Sequence, residues 1–229
     1  MHPQMPALKK GLEGLGLVLT DEQQSHLLAY MDLIAKWTKV YNLTSVRDAD
    51  EMLTHHLLDS LAVIAPLRRE LAGLVMPRAG QGEGGGAGDA SPRVRLLDVG
   101  AGAGLPGIVI AITCPDVWVT CVDTVAKKAA FIQQVAATLR LPNLKGLHAR
   151  VESLHEPYDV VCSRAFASLL DFTSWSHTAL APHGVWMAMK GKDPAQEIAV
   201  LPAGVHVFHV EQLHVPGLDA DRCIVWMRG

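Results

Sequence analysis

The stretch Asp98-Val99-Gly100-Ala101-Gly102-Ala103-Gly104 decides the fold, because it joins a strand pattern to a helix pattern. The apolar residues 94–99 predict a short buried strand, and residues 104–113 predict a helix. A glycine-rich turn between a strand and a helix is typical of open α/β sheets, whose ligands bind at the carboxyl ends of the strands. Glycine permits positive φ and a close approach of the backbone to a ligand. The turn therefore predicts an α/β fold with a ligand site beside it.

Strand and helix patterns alternate from this turn to the end of the chain. The predicted strands cover residues 117–122, 144–148, 158–163 and 184–190, with helices over 124–140 and 168–180. Two last strands, 205–210 and 223–227, are separated by little more than a turn, which predicts an antiparallel hairpin. The sequence thus predicts a Rossmann-like, doubly wound α/β sheet that is mostly parallel, with an antiparallel C-terminal hairpin.

The part of the chain before the sheet predicts helices without strands. Thr20-Asp21-Glu22-Gln23 has the pattern of a capping box, and Asp48 begins a second helix signal. We expect residues 1–75 to form an N-terminal helical extension. Residues 76–93 are rich in glycine and proline, with six glycines in the nine residues 80–88, which predicts a flexible linker or insertion. Residues 94–229 are predicted to form the ligand-binding domain, in one compact unit with the helices.

The composition predicts a protein with a sizeable buried core, since 49% of the 229 residues are hydrophobic. No apolar run reaches the roughly 18–20 residues that a transmembrane helix needs, and residues 1–10 lack an apolar secretory segment. We therefore expect a soluble cytoplasmic protein without membrane contact. The four cysteines form no CxxC pair, which favours buried reduced thiols over a zinc site or disulfides.

Charge is distributed unevenly although the formal net charge is only −3. Residues 124–151 contain five basic side chains and no acidic one, namely Lys127, Lys128, Arg140, Lys145 and Arg150. Such a run can attract the phosphates of a nucleic acid, or it can simply be a solvated face. The sequence alone leaves both interpretations open.

The glycine motif can be aligned in two ways that favour different cofactors. Residues 102–107 match GxGxxG, the dinucleotide fingerprint of nicotinamide enzymes. Asp98 to Gly104 instead match an acid-first pattern, and an acid at that strand end suits a cationic ligand such as S-adenosylmethionine, whose methionine end it can help to hold. The same carboxylate would face like charge in a pyrophosphate site. The motif favours S-adenosylmethionine over NAD. It predicts that Gly100 and Gly102 contact the cofactor.

Two further acids are placed where a nucleoside cofactor would need them. Asp123 ends the second predicted strand, 19 residues after Gly104, and an acid there can accept both ribose hydroxyls. Glu152 follows the third strand, near the expected adenine edge, and Val151 can supply a backbone contact. Glu152 is equally compatible with a simple helix-start acid.

Several segments outside the glycine motif carry a family resemblance. Trp37-Thr38-Lys39-Val40-Tyr41-Asn42-Leu43-Thr44, His56-Leu57-Leu58-Asp59-Ser60, Ser163-Arg164-Ala165-Phe166-Ala167 and Met189-Lys190-Gly191 occur in family order with residues 98–107. Together they resemble the bacterial RsmG family, also called glucose-inhibited division protein B. The glycine-rich insertion and Lys127-Lys128-Ala129-Ala130, where relatives often carry more arginine, depart from the family pattern.

The resemblance implies S-adenosylmethionine-dependent methylation of guanine N7 in the 530 loop of 16S rRNA. It implies cofactor contacts at Gly100, Leu105, Val151, Glu152 and Arg164, and 16S rRNA or the small ribosomal subunit as partner of a monomeric enzyme. Guanine N7 offers a lone pair and carries no proton, so positioning can suffice. We therefore expect no general base and assign no catalytic residue.

Three interpretations stay open at this stage. Arg164 either contacts cofactor or RNA phosphate or pairs with a local acid, and Phe166 either stacks on a base or belongs to the core. The histidine pairs 55–56 and 206/209 are not expected to bind metal. An NAD-dependent oxidoreductase and a non-catalytic ribosome-binding factor remain the competing functions.

Overall fold

The computed structural model describes residues 2–75, 94–166, 168–191 and 193–229. The linker predicted over 76–93 lies outside the described residues. The strands are β1 (Val94–Val99), β2 (Val117–Asp123), β3 (Leu144–His148), β4 (Tyr158–Arg164), β5 (Leu180–Lys190), β6 (His206–Leu213) and β7 (Arg222–Arg228). The α-helices are α1 (Met5–Gly14), α2 (Asp21–Tyr41), α3 (Ala49–Met52), α4 (Asp59–Leu61), α5 (Ile64–Val75), α6 (Gly107–Thr113), α7 (Ala126–Thr138), α8 (Leu169–Ser176) and α9 (Ala195–Ile198), and a π-helix (Leu53–Leu58) lies between α3 and α4.

The seven strands form one sheet in the order β3-β2-β1-β4-β5-β7-β6. β1 to β5 pair in parallel, and β7 is antiparallel to both β5 and β6. The strand order reverses direction at β1, between β2 and β4, which is where an open α/β sheet forms a ligand crevice. The predicted parallel sheet with its antiparallel C-terminal hairpin is confirmed.

The N-terminal helices pack against the sheet domain through polar as well as apolar contacts. Tyr30 of α2 is fully buried, and its hydroxyl donates to the Ala103 carbonyl in the glycine-rich turn at 2.7 Å. The Gln23 amide of the capping box, besides capping α2, donates to the Ile112 carbonyl at 3.1 Å. The helical extension therefore holds the turn from behind. None of the helices in the described ranges is long and apolar enough to cross a membrane.

Several elements differ in detail from the sequence prediction. Residues 1–75 were expected to be helical, but no separate helix was located before residue 20, because Met5–Gly14 contains two glycines and no side chain caps its N-terminus. The helix predicted over 168–180 ends at Ser176 and is followed by a short 3₁₀ turn, and β5 starts at Leu180 rather than at residue 184. A bulge in the pairing of β4 with β5 accommodates the extra residues.

The packing of α7 on β3 leaves no space for a side chain at Gly146. A Cβ there would lie 2.6 Å from the Ala129 carbonyl oxygen and 3.0 Å from Ile132 Cβ. We expect Gly146→Ala to lower the free energy of unfolding by about 2–3 kcal/mol, because overpacking must displace the helix backbone. Urea unfolding measures the loss. Gly204→Ala, where a Cβ meets nothing within 4 Å, is the control, and equal stability of the two variants would contradict the prediction.

Candidate active site

A cavity of about 540 Å³ opens at the carboxyl ends of the parallel strands, beside the glycine-rich turn. We call it the cofactor cavity. Five of the seven site residues predicted from the sequence line it, namely Gly100, Asp123, Val151, Glu152 and Arg164. Ten residues without a predicted cofactor contact complete the lining, namely Val99, Val122, Thr124, Val125, Lys128, Ala149, Arg150, Ala165, Phe166 and Trp175.

The glycine-rich turn uses positive φ at three positions, with +67° at Gly100, +59° at Gly102 and +88° at Gly104. The Gly100 amide donates to the Val122 carbonyl at 2.9 Å, which fastens the turn to the end of β2. Residues with a side chain rarely adopt these angles. The turn therefore brings bare backbone to the cavity wall at Gly100, as the sequence predicted.

Asp123 is held rigidly at the end of β2. Its Oδ2 accepts the Gly102 amide at 3.0 Å and its Oδ1 accepts the Val125 amide at 2.9 Å. The Lys128 ammonium lies 3.6 Å from Oδ2. These donors fix a carboxylate that is only 5% exposed but reaches the cavity. Gly102 itself does not line the cavity and instead orients Asp123.

One part of the cavity wall is formed by the residues that follow β3. Residues 151–153 form a short 3₁₀ turn, in which Val151 is buried and Glu152 is exposed. Both residues line the cavity, next to Ala149 and Arg150. The turn therefore places Val151 and Glu152 side by side at the cavity.

Arg164 ends β4 and lies at the boundary of the cavity. Its Nη1 donates to Asp59 Oδ2 at 2.9 Å and to the His55 carbonyl at 3.1 Å. The ion pair with a local acid is therefore present, and Arg164 lines the cavity as well. The next residue, Ala165, has a φ of +57° although it is not glycine, and such backbone outliers cluster at functional sites.

Phe166 packs against the core and also lines the cavity, and its stacking on a base stays a prediction. Its ring packs against Phe172, with centroids 5.7 Å apart, and against Trp175 at 5.5 Å, while it also lines the cavity. Trp175 of α8 is 45% exposed. No sequence pattern connects Trp175 to the glycine turn, because α8 approaches the cavity only in the folded chain.

Leu105 and Asp98 lie beneath the turn rather than in the cavity lining. Leu105 is buried in the core, and its predicted cofactor contact stays a prediction. The Asp98 side chain is fully buried, and its Oδ2 accepts the Gly107 amide at 2.9 Å. This carboxyl anchors the first turn of α6, and its contact with the methionine end of a cofactor stays a prediction.

The donor set of the cavity fits a nucleoside cofactor. Asp123 presents a prearranged carboxylate, and Val99, Val122 and Phe166 supply apolar walls. Within the described part of the chain, no group of three His, Cys, Asp or Glu side chains has the geometry to hold a metal ion. The cavity therefore offers the chemistry of a nucleoside site.

Comparisons with known proteins agree with the fold and show the family of the chain. A family model described as GidB, rRNA small subunit methyltransferase G, matches residues 23–76 and 88–225. The ribosomal RNA small subunit methyltransferase G of Polaromonas sp. strain JS666 is 66% identical over 221 residues, which cover 96% of this chain and 92% of that protein.

Solved structures share the architecture at low sequence identity. TrmN from Thermus thermophilus has a TM-score of 0.50 and 19% identity, covering 60% of this chain and 44% of its own. An O-methyltransferase from neocarzinostatin biosynthesis, solved with S-adenosylmethionine, has a TM-score of 0.50 and 15% identity, covering 60% of this chain and 49% of its own. These likenesses concern the Rossmann-like fold, and the family match is the more specific finding. The chain belongs to the GidB family, the rRNA small subunit methyltransferase G family.

Proposed function

We propose that this protein methylates N7 of a guanine in the 530 loop of 16S rRNA, with S-adenosylmethionine bound in the cofactor cavity. Membership of the GidB family makes it an S-adenosylmethionine-dependent rRNA methyltransferase. The observation that carries the cofactor's placement is the fixed Asp123 carboxylate at the end of β2, next to the bare backbone of Gly100. The family match does not support the NAD-dependent oxidoreductase or the non-catalytic ribosome-binding factor.

Different residues of the cavity are proposed to contact different parts of the cofactor. Asp123 accepts the ribose hydroxyls, and Gly102 keeps that carboxylate in place. Val151 and Glu152 bind the adenine edge, while the backbone of Gly100 faces the methionine portion. Two further contacts complete the proposed set, Leu105 from beneath the turn and Arg164 at the end of β4.

Bound S-adenosylmethionine supplies an electrophilic methyl group on a sulfonium. Guanine N7 already has a lone pair, so the protein has no proton to remove from it. The enzyme's contribution is to hold two reactants in line and to exclude water, which can supply several orders of magnitude in rate. For this reason we assign no catalytic acid or base.

The basic residues of the 124–151 stretch support an RNA partner. Lys127, Arg140, Lys145 and Arg150 are exposed, and Lys128 and Arg150 lie at the rim of the cofactor cavity. Phosphate contacts of this kind position an RNA without reading its sequence. We propose 16S rRNA or the small ribosomal subunit as substrate of a cytoplasmic monomer, in which residues 1–75 and 94–229 work as one unit.

Mapping of N7-methylguanosine in 16S rRNA tests this function. Borohydride and aniline treatment cleaves RNA at N7-methylguanosine, and primer extension then locates the cut. We expect cells that lack the protein to lose one cut in the 530 loop, and the wild-type gene to restore it. An unchanged cleavage pattern in the deletion strain would exclude this guanine as the target.

A further inference from the structure

A second cavity, of about 370 Å³, adjoins the cofactor cavity and shares Arg164 and Ala165 with it. Its other walls are the π-helix residues His55 and His56, the end of β5, and Arg222 at the start of β7. Its volume falls within the roughly 300–1,000 Å³ of ordinary ligand sites. In a methyl transfer the acceptor must lie next to the cofactor, and this cavity adjoins the cofactor cavity across the end of β4.

A buried carboxylate organises the charged side chains of this second cavity. Asp59 is 3% exposed, and its two oxygens are divided between two arginines from different strands. Oδ2 accepts from Arg164 Nη1 at 2.9 Å, and Oδ1 accepts from Arg222 Nε at 2.8 Å. A buried ion pair with good geometry is weak support for stability but orients its members strongly. Asp59 thus fixes two guanidinium groups in the wall of the cavity.

The π-helix brings histidine side chains to the same wall. His56 Nε2 lies 2.7 Å from Thr44 Oγ1, and its Nδ1 is buried without a hydrogen-bond partner among the described residues. Burial, together with the nearby Arg164, lowers the pKa of His56, which favours the neutral imidazole. A π-helical segment is frequent at functional sites, and both His55 and His56 line the second cavity.

The charges in this wall suit a nucleotide. Arg164, Arg222 and Lys190 are cations, and Lys190 Nζ is 2.8 Å from Glu197 Oε1. Among the described residues that line the cavity, Asp59 is the only acid. Arginine donors recognise guanine O6 and phosphate oxygens, and enzymes that modify a base take it out of the stack into a pocket.

We propose that this second cavity is the acceptor pocket, which receives the target guanine nucleotide after it leaves the RNA stack. Arg222 and Lys190 bind its phosphate or O6, and Arg164 marks the boundary towards the cofactor. The proposal rests on the proposed function, because a purine acceptor is what the methyl transfer requires. It adds the residues that select the acceptor.

Gly191→Leu tests the pocket by filling it. Gly191 lines the pocket, and a Cβ there lies 3.4 Å from Arg222 Nη1 and 4.0 Å from the Asp221 carbonyl oxygen, so the backbone has room for a Cβ at this position. We expect kcat/KM for methyl transfer to small ribosomal subunits to fall at least about tenfold. S-adenosylhomocysteine affinity, measured by calorimetry, should stay within about twofold. Gly204→Leu, in open space, is the control with wild-type kinetics.

Arg222→Gln tests the charge, with Arg228→Gln as the matched control. Both arginines lie on β7 and pair with an acid, but Arg228 pairs with Glu70 at the opposite end of the strand. We expect Arg222→Gln to raise KM for the RNA substrate about tenfold, with unchanged S-adenosylhomocysteine binding. Wild-type kinetics in both Gly191→Leu and Arg222→Gln would overturn the acceptor pocket, as would a parallel loss of cofactor binding.

A titration with guanosine 5′-monophosphate keeps this inference separate from the proposed function. In protein labelled with ¹⁵N-histidine and saturated with S-adenosylhomocysteine, we expect the nucleotide to shift the His56 ring signals in the wild type and in Gly204→Leu. The shift should be absent in Gly191→Leu. A missing shift in the wild type would overturn the pocket. A clear shift in a protein that leaves guanine N7 unmethylated would retain the pocket and refute only the reaction.

Discussion

Replacing Asp123 with asparagine is expected to weaken S-adenosylmethionine binding about 100-fold, because each hydrogen bond to a buried charge contributes roughly 1.5–3 kcal/mol. The carboxylate accepts two backbone amides, from Gly102 and Val125, and stays close to Lys128. An asparagine offers one acceptor oxygen, so its amide group would face a backbone N–H or a ribose hydroxyl as a poor partner. The loss thus combines a weaker ribose contact with a loosened glycine turn.

Calorimetric titration with S-adenosylmethionine measures this effect directly. Asp116→Asn removes an exposed carboxyl just before β2, at the far end of the same strand, and is expected to bind like the wild type. Melting temperatures of both variants establish that the fold is intact. Wild-type affinity in a folded Asp123→Asn variant would remove Asp123 from the cofactor site.

Asp98 should make the stability of the free protein fall as the pH rises. Burial raises the pKa of this carboxyl from 3.8 to about 7, although the Gly107 amide and Arg164 act in the opposite direction. Between pH 3.8 and about pH 7, the folded protein therefore keeps a proton on Asp98 that the unfolded chain has already released. This contribution to stability is complete below about pH 4 and is lost as the pH rises through about 7.

The variant Asp98→Asn should remove that pH dependence, because its neutral amide does not titrate. Between pH 5 and pH 8 the wild type is expected to lose about 3 kcal/mol more in its free energy of unfolding than the variant, at 1.36 kcal/mol per pKa unit. Urea unfolding at both pH values measures the difference. Asp219→Asn, an exposed acid, should keep the wild-type slope, and a parallel slope in Asp98→Asn would show that Asp98 is ionised throughout.

Local signals in the sequence predicted most of the sheet. The bounds of β1 and β3 agree with the prediction, because each is a short segment bounded by turn residues. The position of helix α1 could not be predicted from its sequence, because its stability comes from tertiary packing, in which Gly11 lies close to the Leu58 side chain. The start of β5 at Leu180 also depends on tertiary structure, since Leu180 pairs with Tyr158 on β4 only through a bulge.

The site was predictable where it follows strand ends and unpredictable where it depends on contacts between distant segments. Gly100 and Asp123 come directly after β1 and at the end of β2, so the sequence placed both beside one cavity. The burial of Asp98 beneath α6 was not predictable, because the pattern gives its position on the strand but not its surroundings. The partnership of Asp59 with Arg222 joins residues 163 positions apart, which no local pattern can show.

In the π-helix, the number of residues matters as much as the side chains for the orientation of the groups in the second cavity. An α-helix turns about 100° for each residue, and a π-turn contains one residue more than an α-turn. Deleting one residue within Leu53–Leu58 would allow the segment to form an ordinary α-helix. The residues before the deletion would then be rotated by about 100° around the helix axis relative to the residues after it. His55 and Asp59 could then no longer face the same wall. A single-codon deletion here would act on the pocket like several substitutions at once, although every remaining side chain is unchanged.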